Sequence, residues 1–102
     1  MSESVSIARG SVYLTAHTYA KYFAGLDAVA LLVRDDELHV LPIMHMAAGG
    51  ALLKIRNSAG DRVVCAPDLF AMHGLENWNA EKVPARWSSE HAALIVPISK
   101  QA

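Results

Sequence analysis

One segment in the first half of the chain constrains the fold more than any other. Two runs rich in leucine and β-branched side chains, residues 28–33 and 38–43, flank the polar sequence Arg34-Asp35-Asp36-Glu37. Two such runs joined by so few residues are typical of an antiparallel β-hairpin. We therefore predict a hairpin over residues 28–43, with its turn at Asp35-Asp36.

The same reasoning predicts that most of the remaining chain is β-structure. Short apolar runs alternate with turn sequences rich in Gly, Asn and Ser, and the runs are too short for long helices. Beyond the first hairpin, the predicted strands cover residues 11–14, 51–56, 62–65, 82–87 and 92–98.

Two short helices are predicted between these strands. Thr15 is a suitable N-cap, because its hydroxyl can accept a hydrogen bond from a free N–H of the first turn. Pro67 suits the first turn of a second helix. The length of 102 residues corresponds to one domain, which we place at residues 10–102 after a flexible polar arm over 1–9. Short strands joined by tight turns predict a mainly β fold, a small barrel or sandwich.

The order of elements repeats along the chain. A strand, a short helix and a hairpin occur in residues 10–43 and again in residues 60–98. Such a repeat predicts two similar units packed about a pseudo-twofold axis. We expect the halves to superpose, with Tyr19 and Phe70 in matching core positions. The alternative is chance, because this order of elements is common.

The residues of each half carry a family resemblance. The first half contains Gly10-Ser11-Val12-Tyr13-Leu14-Thr15, then Gly25-Leu26 and the strand at 38–43; the second contains Gly60-Asp61-Arg62-Val63-Val64-Cys65-Ala66-Pro67, then Gly74-Leu75 and the strand at 94–98. Each half resembles the AbrB/MazE/MraZ group of swapped-hairpin barrels, and two tandem units are similar to MraZ. The resemblance implies an AbrB-like, swapped-hairpin β-barrel built from two tandem strand-helix-hairpin repeats. It also implies DNA binding, in transcription regulation or as an antitoxin-like protein.

Some positions depart from the pattern of that group. Thr15 stands where the family usually has a proline before its helix. Tyr19 and Ala71 fall near the position of an arginine that supports DNA binding or local packing in the family. The missing arginine and the formal net charge of −1 favour an alternative, a small accessory or assembly subunit that binds a protein partner.

The charge pattern predicts a binding surface on the second hairpin. No Asp or Glu occurs in residues 38–60, whereas Lys54 and Arg56 lie two apart in a predicted strand and Arg62 follows across the turn. Residues two apart in a strand share a face. We therefore predict that the three cations form one basic strip that contacts nucleic-acid phosphates. The alternative is an ordinary solvated edge, protected by charge against aggregation.

Composition limits the classes of protein to consider. Hydrophobic residues make up 53% and charged residues 19%, which argues against a disordered tail and a generally basic coat protein. The sequence lacks an apolar run of about 18 residues and begins with polar residues, so we expect neither a membrane span nor a signal peptide. The single cysteine, Cys65, is typical of a cytoplasmic protein.

No arrangement of catalytic or metal-binding residues is evident. Met44, His45 and Met46 form the one cluster of soft donors, which suits Cu(I), although two core methionines and an exposed histidine are the alternative. Cys65 lies beside Val64 in a predicted strand and is expected in the core as a small hydrophobe. We therefore expect a non-enzymatic protein without metal or cofactor. Its apolar surface predicts a homo-oligomer, a dimer or larger.

Overall fold

The computed structural model describes residues 3–43 and 50–98, which contain nine strands and two helices. In chain order these are β1 (Glu3–Ala8), β2 (Ser11–Leu14), α1 (Ala16–Tyr22), β3 (Ala28–Arg34), β4 (Glu37–Pro42), β5 (Gly50–Leu52), β6 (Lys54–Ile55), β7 (Arg62–Cys65), α2 (Pro67–Met72), β8 (Ala80–Ser88) and β9 (Ala93–Pro97). None of the described helices is long and apolar enough to cross a membrane.

The predicted hairpin over residues 28–43 is confirmed. β3 and β4 pair in antiparallel register from Val29 opposite Pro42 to Arg34 opposite Glu37. Asp35 and Asp36 both have positive φ angles, 52° and 61°, as a two-residue type I′ turn requires. Aspartate tolerates this left-handed conformation better than most residues, which explains the acidic tip.

The strands form one antiparallel sheet that nearly closes into a barrel. Its order is β5-β3-β4-β9-β8-β1-β2-β7-β6. The two outermost strands, β5 and β6, are consecutive in the chain and are separated only by Leu53. The backbone N–H of Leu53 donates to the Asp27 carbonyl at 2.8 Å. The same stretch of chain therefore completes the sheet from both sides, which confirms the predicted small, mainly β barrel with two short helices.

The core lies inside this barrel. Inward side chains alternate with half-buried ones along β1, and Phe23 and Phe70 are among the largest fully buried side chains. Trp78 is buried and its ring lies 6.1 Å from that of Phe70. Other fully buried members of the core are Val5, Ile7, Val12, Leu14, Val29, Leu38, Val40, Val64, Leu94 and Val96.

The amino-terminal segment differs from the predicted flexible arm over residues 1–9. Glu3–Ala8 forms β1, which pairs with both β2 and β8. The inward residues Glu3, Val5 and Ile7 are buried, and the serines between them face outward. Lys21 Nζ donates to Glu3 Oε1 at 2.9 Å, so the buried carboxylate has a charged partner. The serines that predicted a polar arm therefore lie on the outer face of a strand.

Both helices begin where the sequence predicted. The Thr15 hydroxyl oxygen accepts from the Thr18 backbone N–H at 3.1 Å, which satisfies one free donor of α1. Pro67 occupies the first turn of α2, where its missing N–H costs nothing. The turn before β2 contacts this second helix, because the Ala66 backbone N–H donates to the Gly10 carbonyl at 2.8 Å.

Candidate nucleic-acid interface

The structure does not bring Lys54, Arg56 and Arg62 onto one face. Lys54 pairs with Val63, and Ile55 pairs with Arg62. Directly opposed residues of an antiparallel pair project to the same side of the sheet. Arg62 therefore shares a face with Ile55, and Lys54 projects to the other side. The predicted strip of three cations is reduced to Lys54 and Arg56.

Arg62 makes contacts within the fold instead. Its guanidinium carbon lies 3.9 Å from the centroid of the Tyr19 ring on α1. Its Nη1 donates to the Gly60 carbonyl at 2.6 Å. The residue is half-buried, so this cation stabilises the junction of the β6–β7 turn with α1 and is less available to a ligand.

Lys54 belongs to a row of residues that crosses the outer face of the barrel. The strand registers place Lys54, Val63, Tyr13 and Ser6 opposite one another on β6, β7, β2 and β1. The inward neighbours Val12 and Val64 are fully buried, so this row faces outward.

A second lysine extends the row at its other end. The Lys82 backbone N–H donates to Ser6 Oγ at 3.1 Å, which adds a residue of β8 beside β1. We name Lys82, Ser6, Tyr13, Val63 and Lys54 the cationic row. Neighbouring strands lie about 4.8 Å apart, so its four steps span about 19 Å. The row therefore has a lysine at each end.

Arg56 adds a cation near the middle of the cationic row. Its guanidinium carbon lies 4.7 Å from the centroid of the Tyr13 ring, within the range of a cation–π contact. Within the described part of the chain, neither this guanidinium nor the Lys82 ammonium has a hydrogen-bond or salt-bridge partner. Both cations can therefore bind an anion without breaking a salt bridge.

Arg56 and Lys82 line the same groove on the outer face. The groove has a volume of about 420 Å³ and also contains the side chains of Ser6 and Tyr13. Among the described residues that line it, Glu81 is the acidic one, and Asp61 lines an adjoining cavity with Ser6, Tyr13 and Arg56. Two cations and two hydroxyl groups in one concave surface form an arrangement that binds phosphate or carboxylate groups. The remaining lining residues are Ile7, Ala8 and Ala80.

Asp61 is an acid near Arg56, but its oxygens have partners. Oδ1 accepts from the Ala16 backbone N–H at 2.8 Å, and Oδ2 accepts from Asn57 Nδ2 at 3.0 Å. These hydrogen bonds, that from Asn57 first, lower the pKa of Asp61, and the charge of Arg56 adds to the effect. The carboxylate therefore fixes the β6–β7 turn against α1.

A histidine pair lies on another part of the barrel. His39 is buried and its Nε2 has no hydrogen-bond partner, while Glu37 Oε1 lies 3.6 Å away. The His91 ring lies 5.4 Å from the His39 ring. Among residues 3–43 and 50–98, no three His, Cys, Asp or Glu side chains lie together in a way that could hold a metal ion. Met44, His45 and Met46 lie outside the described residues.

Cys65 is exposed, so the predicted core position is wrong. The residue pairs with Ser11 on β2, and Val64 beside it points inward and is fully buried. Alternation along β7 therefore places the thiol outside the core.

Comparisons with models of known protein families, with curated proteins and with solved structures find no match for this chain. The arrangement of residues on the outer face is therefore the basis for a functional proposal.

Proposed function

We propose that this protein is a non-enzymatic DNA-binding regulator or antitoxin-like protein, and that the cationic row with Arg56 contacts DNA phosphates. The observation that carries the proposal is the convergence of Lys54, Arg56 and Lys82 on one outer face. Lys54 and Arg56 belong to the β6 segment, Lys82 comes from the distant strand β8, and Arg56 and Lys82 line one groove. Roughly half to two-thirds of the hydrogen bonds between proteins and DNA go to phosphate and sugar, and Arg and Lys side chains are among the donors.

The number of cations sets the expected affinity. Three phosphate contacts correspond to a slope of about −2.7 in a plot of log K against log salt concentration. Binding by one chain is therefore in the range of non-specific complexes, with a Kd of about 10⁻⁴ to 10⁻⁶ M. An assembly with two cationic rows on one side would bind more tightly and with a steeper salt dependence.

The strand pairing supports the tandem, swapped-hairpin architecture that we propose with this function. Exchange of β1 with β5 and β6, β2 with β7, β3 with β8, and β4 with β9 converts every observed strand pairing into an observed pairing, and β2–β7 and β4–β9 into themselves. When the chain is divided before β5, the hairpin β3–β4 of the first half pairs with β5 of the second. Likewise, the hairpin β8–β9 pairs with β1. Each hairpin thus completes the sheet of the other half.

The correspondence is weaker for single residues than for whole strands. Pro42 is half-buried, whereas Pro97 is exposed. Tyr19 is half-buried, whereas Phe70 is fully buried. The support for a tandem repeat therefore comes from the pairing of strands and not from the matched sequence motifs.

A second candidate function, an accessory subunit that binds a protein, is favoured by exposed apolar side chains. Leu52 and Ile55 are 50% and 70% exposed, and they flank Lys54 on the stretch that completes the barrel. Such side chains are typical of a protein interface when they cluster. A second copy of this chain would cover them equally well. Light scattering at micromolar concentration tests the homo-oligomer, and a monomer would contradict it.

Titration of labelled mixed-sequence duplex DNA at low salt, followed by fluorescence polarisation, tests the DNA proposal. We expect Lys54→Ala and Lys82→Ala each to reduce the salt slope by about 0.9. Arg34→Ala is the matched control, because it removes the same charge from an exposed site at the end of β3. The proposal fails if the protein does not bind at tens of micromolar, or if Arg34→Ala weakens binding as much as the other two substitutions.

A further inference from the structure

A channel runs along the outer face of β1. This strand lies between β2 and β8, and the outward side chains Ser6 and Ala8 are small. Tyr13 on β2 lines one side of the groove and Lys82 on β8 lines the other. The groove of about 420 Å³ therefore lies over β1, between these two strands. Two strand spacings, about 10 Å, separate the backbones of β2 and β8 that carry these walls.

The walls of this channel carry opposed cations. Arg56 lies on the Tyr13 wall, where its contact with the ring limits its freedom. Lys82 lies on the opposite wall beside Glu81. On the floor, Ser6 Oγ accepts from the Lys82 backbone N–H, which leaves the hydroxyl proton available to a ligand. An anion in the channel would therefore meet donors on both walls and on the floor.

We propose that this channel holds one sugar–phosphate backbone, with phosphate oxygens bound by Arg56 from one wall and Lys82 from the other. The inference rests on the proposed function and names the part of the nucleic acid that the site takes. The backbones that carry its walls are only about 10 Å apart, so a whole duplex, whose major groove alone is about 12 Å wide, does not enter it. The occupant is an isolated strand or one backbone of a duplex.

A steric block tests the channel without changing any charge. Ala8→Leu places a larger side chain on the floor, while Ala30→Leu makes the same change on β3, away from the groove lining. Both variants are titrated with a labelled mixed-sequence single strand and with its duplex. We expect Ala8→Leu to reduce the salt slope by about 1.8, because two phosphate contacts are lost. Ala30→Leu should bind as the unsubstituted protein does.

Two further variants separate a blocked channel from a disturbed fold. Lys82→Gln alone should reduce the salt slope by about 0.9. In the Ala8→Leu background it should reduce the slope no further, because the blocked channel has already lost the phosphate contact of Lys82. Glu81→Gln should tighten binding, since it removes an acidic side chain from the channel lining. Circular dichroism confirms that each variant is folded.

The two proposals fail in different ways. If the unsubstituted protein binds neither probe, the proposed function is wrong. If it binds but Ala8→Leu and Ala30→Leu have equal salt slopes, the channel inference is wrong and DNA binding by the outer face stands. If Lys82→Gln and Ala8→Leu have additive effects, the lysine contacts phosphate outside the channel, which also overturns the inference.

Discussion

Gly10 offers the sharpest test of how the β1–β2 turn packs against α2. Its φ angle is 74°, and a Cβ added there would lie 2.7 Å from the Cα of Pro67. For Gly10→Ala, the left-handed conformation costs about 1–2 kcal/mol, and relief of the overlap with backbone costs about 1–3 kcal/mol more. We expect a total destabilisation of about 2–5 kcal/mol, a large part of the stability of a small domain.

Gly25 is the matched control for this substitution. Its φ angle is 80°, but an added Cβ would meet nothing within 4 Å. Gly25→Ala should therefore cost only the conformational term of about 1–2 kcal/mol. Urea denaturation measures both free energies of unfolding by linear extrapolation. If Gly10→Ala and Gly25→Ala destabilise the protein equally, the close approach of Gly10 to Pro67 does not exist.

Three further predictions follow from named contacts. Side-chain hydrogen bonds lower the pKa values of Glu3, Glu37 and Asp61 in the folded protein. The three carboxylates therefore add to the free energy of unfolding at pH values above their unfolded-state pKa values, and this contribution is lost as the pH falls through their folded-state pKa values. Thermal melting at falling pH checks this, and a flat profile contradicts it. Thr15→Ala should cost about 1 kcal/mol in urea denaturation and Thr15→Ser much less; equal losses would exclude the cap. A thiol reagent should modify Cys65 without unfolding, and protection in the native state would refute its exposure.

Local features of the fold were predictable from the sequence. Three of them depend only on residues that are close together in the sequence: the turn at Asp35-Asp36, the cap at Thr15 and the start of α2 at Pro67. β1 was missed, although Val5 and Ile7 alternate with serines, because serine is typical of loops. Its place in the sheet depends on pairing with β8, which lies far away in the sequence.

The candidate site was less predictable, since it depends on register. A shift of one residue in strand pairing moves every side chain to the other face. The turn after Arg56 places Arg62 opposite Ile55, so simple spacing could not assign Arg62 to a face. Lys82 joins the row only through its contact with Ser6 on β1, and no local signal in the sequence indicates that contact.

The stretch that completes the barrel also has a consequence for how the protein opens. Gly50–Leu52 pairs with β3, and Lys54 and Ile55 pair with β7, so residues 50–55 close the barrel. Each of these two pairings is shorter than the pairing within the β3–β4 hairpin. Local unfolding should begin there and convert the cylinder into an open sheet with two bare edges. Two opened copies could then each pair residues 50–55 with the sheet of the other copy, which would produce a dimer by strand exchange and not by surface docking.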